Sequence, residues 1–172
     1  DNLEDLANSI RAKGVLQPLL VRVRPKELGQ FEIVAGERRW RAAQIAQLHE
    51  LPVIIKDLDD DEVLEVAIIE NIQRADLNAI EEAAGYQQLM DKFEYTQEKM
   101  AKTLGKSRSH IANLLRLLNL PNDVQQLLIY GKLSSGHARA LITCHNPSDL
   151  AKIVVAKGLS VRETENLAKK ST

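Results

Sequence analysis

Cysteine occurs once in this sequence, aromatic residues make up only 3% of it, and no apolar run is longer than a few residues. Each scarcity excludes something. A lone Cys144 closes no intrachain disulfide, which fits a reducing compartment. The longest apolar runs, such as Val66–Ile69, fall far short of the roughly 18–20 residues that a membrane helix needs. No charged-then-apolar leader opens the chain. Familiar catalytic signatures are also missing: there is no GxxxxGK[ST] loop, no CxxC pair and no nucleophile elbow. His49, His110, His137 and His145 lack an HExxH-type spacing, so no zinc site is expected. The expectation is a soluble, intracellular protein without membrane contact.

What is present is enough for a folded core: 172 residues, 44% of them apolar, with eight Gly and five Pro. That length suits one large domain or two small ones. The net charge is −1, but the charges are segregated. Asp59–Glu82 carries nine acids against Arg74, whereas Thr96–Leu120 carries five bases (Lys99, Lys102, Lys106, Arg108, Arg116) against Glu98. A separated basic block is an electrostatic footprint of phosphate binding, although on charge alone a solvated helix face fits as well. The chain opens without Met on a helical signal and ends in Lys169-Lys170-Ser171-Thr172, and so reads as a piece of a longer protein.

The first half reads as mixed α/β. Leu3, Leu6, Ala7 and Ile10 recur at helical spacing over Asn2–Lys13, with Asn2 or Asp1 as cap and Gly14 as stop. Leu19–Arg24 and Phe31–Ala35, separated by Pro25 and Gly29, predict a hairpin. A helix follows over Glu37–Leu48, then a short strand over Pro52–Lys56. A further helix over Asp61–Ile72 turns Val63, Val66, Ala67 and Ile69 or Ile72 inward. The second half shows no strand pattern. Helices are predicted at Ala79–Phe93, Gln97–Leu104, Ser107–Leu118, Asn122–Tyr130, Ser135–Cys144, Ser148–Ala156 and Val161–Lys169. Asn78 with Glu81, Pro121 as first helical residue, and Ser160 with Glu163 mark starts, while Gly131 and Gly158 mark stops. Cys144 reads as core packing on an apolar helix face. The switch near residue 75 divides the chain into an α/β domain, 1–75, and an all-helical domain, 76–172.

Gln97–Leu118 fits a helix-turn-helix in detail. Counting from Gln97, the small Ala101 stands fifth, where the two helices cross closely, and Gly105 stands ninth, in the turn. Ile111 and Leu114 stand fifteenth and eighteenth, holding the second helix against the first. This leaves Lys106, Ser107, Arg108, Ser109 and His110 at the exposed start of a recognition helix. Arg108 can form a fork to guanine, Ser107, Ser109 and Asn113 can meet phosphate or base edges, and Lys102 and Lys106 suit phosphate. A helical hairpin with a Gly turn is the plainer reading.

Two further elements suit a nucleotide. Ala35-Gly36-Glu37-Arg38-Arg39-Trp40-Arg41-Ala42 lies where a strand gives way to a helix. Open amides, a glycine and adjacent arginines there suit a polyphosphate. Glu70-Asn71-Ile72-Gln73-Arg74 places a carboxylate beside an amide, which can ligate Mg²⁺ next to a nucleotide. Taken singly, surface arginines and a polar helix end explain both as well.

Four stretches together resemble the bacterial ParB family: GVLQPLLVR at Gly14–Arg22, GERRWRA at Gly36–Ala42, ENIQRADLN at Glu70–Asn78, and KSRSHIANLLRLLNLP from Lys106. Their order and spacing match over essentially the whole chain. The resemblance implies an α+β protein, with a small mixed ParB/sulfiredoxin-like N-terminal domain followed by an all-α helix-turn-helix domain. It implies a centromere-binding factor of chromosome segregation, reading parS-type palindromic DNA as a homodimer and closing on CTP-Mg²⁺ into a DNA-sliding clamp. Slow, DNA-stimulated CTP hydrolysis is implied as well, in the cytoplasm at the nucleoid.

By position, the resemblance places Gly36, Arg38 and Arg39 around the triphosphate and Glu37 in hydrolysis. Glu70 and Asn71 hold Mg²⁺ and nucleotide, and Gly14–Arg22, including Gln17, lines the pocket. Gly136, His137 and Arg139 in SSGHARAL join the DNA-binding set. A ParA-type ATPase and SMC/condensin are implied partners, through segments and a C-terminal dimerisation domain that lie partly outside this sequence. The paralogous nucleoid-occlusion factor Noc, a plain helix-turn-helix repressor, and a redox or nuclease enzyme on the sulfiredoxin-like fold are the rivals. Arg108 and Gly136 favour ParB over Noc, and the lack of cysteine before Cys144 disfavours redox chemistry.

Overall fold

The computed structural model describes residues 2–24 and 26–171. Pro25 in the predicted hairpin turn, and Asp1 as an alternative cap, lie outside them. The chain divides into two compact units, Asp1–Glu70 and Asn71–Thr172.

In the first unit, α1 (Asn2–Lys13) precedes the hairpin of β1 (Leu19–Val23) and β2 (Phe31–Ala35). The hairpin is antiparallel, with Val23 opposite Phe31, and Arg24 N–H donates to the Gln30 carbonyl at 3.0 Å across its turn. After α2 (Glu37–Ile45) the chain returns as β3 (Val53–Ile55), parallel to β1, giving the order β2-β1-β3. The central strand is the most buried of the three, with Leu19 and Val21 in the core. Ala7 and Ile10 of α1 pack on Ala42 of α2, and the small Ala7 and Ala42 let the two helices approach. α3 (Asp60–Ile72) leads out of this unit.

The second unit is helical throughout: α4 (Ala79–Phe93), α5 (Gln97–Leu104), α6 (Arg108–Leu117), α7 (Asn122–Ile129), α8 (Ser135–Leu141), α9 (Pro147–Lys157) and α10 (Val161–Lys170). Its core draws on Tyr86, Leu89, Met100, Ile111, Leu117, Val124 and Leu141, all buried. Side-chain caps fix most starts. Asn78, Thr96, Ser107, Ser134 and Ser160 each accept a backbone N–H three residues on, and Ser160 with Glu163 closes the expected capping box.

Several expectations are corrected. α2 stops at Ile45 instead of Leu48 because Gln47 adopts a left-handed conformation (φ 61°), and Leu48 N–H turns back to the Ala43 carbonyl. α8 stops at Leu141 because its end tightens into i→i+3 bonds, among them Cys144 N–H to the Leu141 carbonyl at 3.2 Å. Cys144 therefore sits half-buried beyond the helix, not on its apolar face. Pro121 caps α7 in an extended conformation (ψ 151°) instead of being its first helical residue. On α3, Ile68 and Ile72 are the buried positions, while Ala67 is exposed.

Candidate nucleic-acid interface and phosphate turn

The turn between α5 and α6 is fixed at both ends. Gly105 ends α5 at φ 68°, a left-handed value that a β-carbon disfavours, and its N–H bonds to the Ala101 carbonyl. Two residues later the Ser107 hydroxyl accepts the His110 N–H at 3.0 Å and opens α6. Met100 and Leu104 on one helix, and Ile111, Leu114 and Leu117 on the other, face inward. The same periodicity turns Lys106–His110 outward: all five residues are exposed, with Lys102 exposed and Asn113 half-buried nearby in sequence. Open amides at the start of α6 add their partial positive charge to Lys106 and Arg108. Exposed bases, open amides and a guanidinium at the leading edge give this turn a positive face.

One contact at this surface escaped the sequence reading. His110 Nε2 lies 2.7 Å from Glu82 Oε2, and the Tyr86 hydroxyl donates to that same oxygen at 2.7 Å. Burial, and then Glu82, push the Tyr86 phenol above its ordinary range, so it stays protonated as a donor. The Glu82/Tyr86 spacing of four on α4 was a visible signal. His110, 28 residues on, was not.

The α8 residues divide by role. His137 takes the Ser134 N–H at Nδ1 (3.2 Å), and its Nε2 lies 2.8 Å from the Leu159 carbonyl. Both ring nitrogens are used within the protein, so what the His137 ring does here is hold the start of α8. A β-carbon at Gly136 would come within 3.0 Å of Val161 Cγ2, so that glycine permits the close approach of α8 and α10. Arg139 is exposed.

In the first unit, β2 runs into α2 through Gly36 at φ 102°. No side chain caps this helix start, so its first amides have no partner within the helix. A β-carbon on Gly36 would stand 2.6 Å from Leu19 Cδ2 and 2.9 Å from Arg39 Nη2, so only glycine fits the turn. Arg39 Nη1 donates to the Gln17 and Pro18 carbonyls at 3.0 and 2.8 Å, which brings Gln17, Gly36 and Arg39 together. Arg38 is exposed, and Glu37 pairs with Arg41 at 2.9 Å. Glu70 and Asn71 follow one another near the end of α3, both exposed, and the division between the two units falls between them.

Arg22, the last residue of the first matching stretch, is buried. It joins Glu32 (2.9 Å), Asp60 (2.8 Å) and the Leu58 carbonyl (3.1 Å), tying β1, β2 and the start of α3. Its hydrogen bond to the Asp60 carboxylate, and then that to Glu32, raise its affinity for the proton. Its partners Glu32, Leu58 and Asp60 are distant in sequence, 10, 36 and 38 residues on.

Comparison with known proteins decides the family. The model for the ParB N-terminal domain matches residues 1–72 and that for the ParB HTH domain matches residues 75–172. The chain belongs to the ParB family. The chromosome-partitioning protein ParB of Caulobacter vibrioides is 60% identical over 99% of this chain and 56% of its own length. That of Myxococcus xanthus is 51% identical over 99% of this chain and 58% of its own. The chain thus spans little more than half the length of the curated ParB relatives it matches. Among solved structures, C-terminally truncated ParB from Caulobacter crescentus, complexed to the centromeric parS site, aligns with a TM-score of 0.90 at 57% identity. That alignment covers 98% of this chain and 87% of the other. Among the described residues, no helix is long and apolar enough to cross a membrane.

Proposed function

We propose that this chain is the DNA-reading and nucleotide-binding part of a chromosome-partitioning protein, and that it recognises a parS-type palindrome as a homodimer. The carrying observation is the exposed Lys106–His110 turn on a capped helix-turn-helix, in a chain that superposes on a parS-bound relative at a TM-score of 0.90. Arg108 at the first position of α6 reads a base edge, Ser109 and Asn113 assist, and Lys102, Lys106 and Arg139 meet phosphates.

The first unit binds CTP. The Gly36 turn fits a phosphate, because it presents open helix amides in a cradle that a β-carbon would fill. Arg38 and Arg39 offset the charge, and Gln17 closes the pocket edge. Glu70 and Asn71 supply a carboxylate and an amide oxygen, the hard donors that Mg²⁺ accepts beside a nucleotide. When bound, Mg²⁺ neutralises charge on the phosphates. Glu37, next to the phosphate turn, positions water for slow hydrolysis. Nucleotide-driven closure makes the dimer a sliding clamp at the nucleoid. ParA-type and SMC partners engage it through the longer protein.

The test is titration of a parS palindrome and of a scrambled duplex, each with and without CTP, beside calorimetry with CTP, ATP and GTP. The reading expects selective parS binding and heat with CTP. Selective DNA binding with no heat from any nucleotide would make the chain a plain helix-turn-helix repressor.

A further inference from the structure

The contact between His110 and Glu82 has a use that the DNA-binding surface itself does not explain. Glu82 lies in the first turn of α4, and its side chain is 18% exposed where His110 is 42% exposed. Its Oε2 serves two donors: the hydroxyl of fully buried Tyr86 and the imidazole of His110. A buried tyrosine hydroxyl needs an acceptor, so the Tyr86 bond fixes the Glu82 rotamer. The fixed carboxylate in turn fixes His110, whose backbone N–H is already held by Ser107.

We propose that Glu82 is a positioning residue for DNA reading: through His110 it locks the first turn of α6 to α4, and so sets where Arg108 points. His110 is thereby a tether and not a reader of bases. Recognition groups need placement to about 0.5 Å, which a short surface turn reaches only when its side chains are locked by a second layer of contacts. Glu82 is that layer here. The inference rests on the parS reading above.

The test measures discrimination, the ratio of affinities for the parS palindrome and a scrambled duplex, on the dimeric protein. Discrimination by the unaltered chain is the first requirement; its absence would overturn the parS reading and this inference together. Given it, Glu82→Ala should lower the ratio about tenfold, the scale of one hydrogen bond to a charged group. Glu82→Gln, whose carbonyl still accepts both donors, should restore most of it. Because Glu82→Ala orphans the Tyr86 hydroxyl, the double variant Glu82→Ala/Tyr86→Phe removes that buried group and keeps the test open if the single variant unfolds. In a double-mutant cycle, Glu82→Ala and His110→Ala should be non-additive. An imidazole N–H proton signal from His110 should be sharp in the unaltered chain and in Glu82→Gln, and lost in Glu82→Ala. Full discrimination in the folded double variant, additivity in the cycle, or equal loss in Glu82→Gln and Glu82→Ala would each overturn the proposal.

Discussion

Adding one methyl group at Gly36 tests the proposed phosphate turn at its tightest point. Two costs combine in Gly36→Ala. The backbone at φ 102° lies where a β-carbon is strained, a penalty of about 1–2 kcal/mol. The new methyl would also stand 2.6 Å from Leu19 Cδ2. Leu19 is 2% exposed and pairs with Val53 in the sheet, so it cannot withdraw without opening the core. Overpacking of this kind costs about 1–3 kcal/mol. The sum, about 2–5 kcal/mol, should lower the unfolding midpoint of the first unit by roughly 8–40 °C. Gly29→Ala separates the two costs, because Gly29 also has a positive φ (79°) but nothing within 4 Å of its β-carbon position. It should lose only the strain part. Trp40, the single tryptophan, lies on α2 and reports the first unit by fluorescence while circular dichroism follows all helices. CTP calorimetry well below the midpoint should show binding lost in Gly36→Ala and kept in Gly29→Ala. Equal midpoints for the two variants would refute the steric argument, and undiminished CTP binding by Gly36→Ala would remove the phosphate from this turn.

Four further outcomes are expected. Arg108→Ala should cost about 1–3 kcal/mol on parS and little on scrambled DNA, whereas Lys106→Ala should weaken both alike and reduce the salt slope by about one; anisotropy titrations over a salt series check this. Arg39→Ala should abolish CTP binding in calorimetry and leave parS affinity nearly intact, since α6 folds in the other unit. Glu37→Gln should keep CTP and DNA binding but hydrolyse CTP more slowly and stay closed on DNA longer; its Arg41 pair is exposed and worth under about 1 kcal/mol, so folding is unaffected. Normal phosphate release would sink that assignment. Tyr86 contributes a pH dependence: its phenol is raised in the fold above the ordinary value of 10.0. The unfolded chain therefore releases this proton first as pH rises, and stability present below pH 10 is lost above it. Thermal scans from pH 9 to 11 should show Tyr86→Phe falling less steeply than the parent.

The helices and strands were legible where short-range chemistry decides them. Asn78, Ser107 and Ser160 open helices at the positions their side chains can cap, and Gly105 and Gly158 close them with left-handed turns. Two of the misreadings share a cause. Gln47 ends α2 in a left-handed conformation with no glycine to announce it, and α8 ends in tightened bonds with no breaker at all. In both, packing chose a conformation that the local residues merely tolerate. α3 was misread differently: it is apolar on several sides, so Ile68 and not Ala67 faces inward for reasons no single period reveals.

The site divides along the same line. A helix-turn-helix and a glycine turn are contiguous motifs, so Lys106–His110 and Gly36–Arg39 could be found by spacing. What holds them in place is not contiguous. Arg39 reaches back to the Gln17 and Pro18 carbonyls, Arg22 gathers Glu32 and Asp60, and Glu82 joins Tyr86 to His110. The Arg39, Arg22 and Glu82–His110 contacts each link residues ten or more positions apart along the chain, and only the Glu82–Tyr86 spacing of four follows a helical period. His137 illustrates the consequence: by sequence it belongs with the exposed residues around it, yet Ser134 and Leu159 take both its nitrogens. Residues in contiguous motifs are therefore the more readable half of such a protein. Those that aim them emerge only when the fold brings distant carboxylates, carbonyls and rings together.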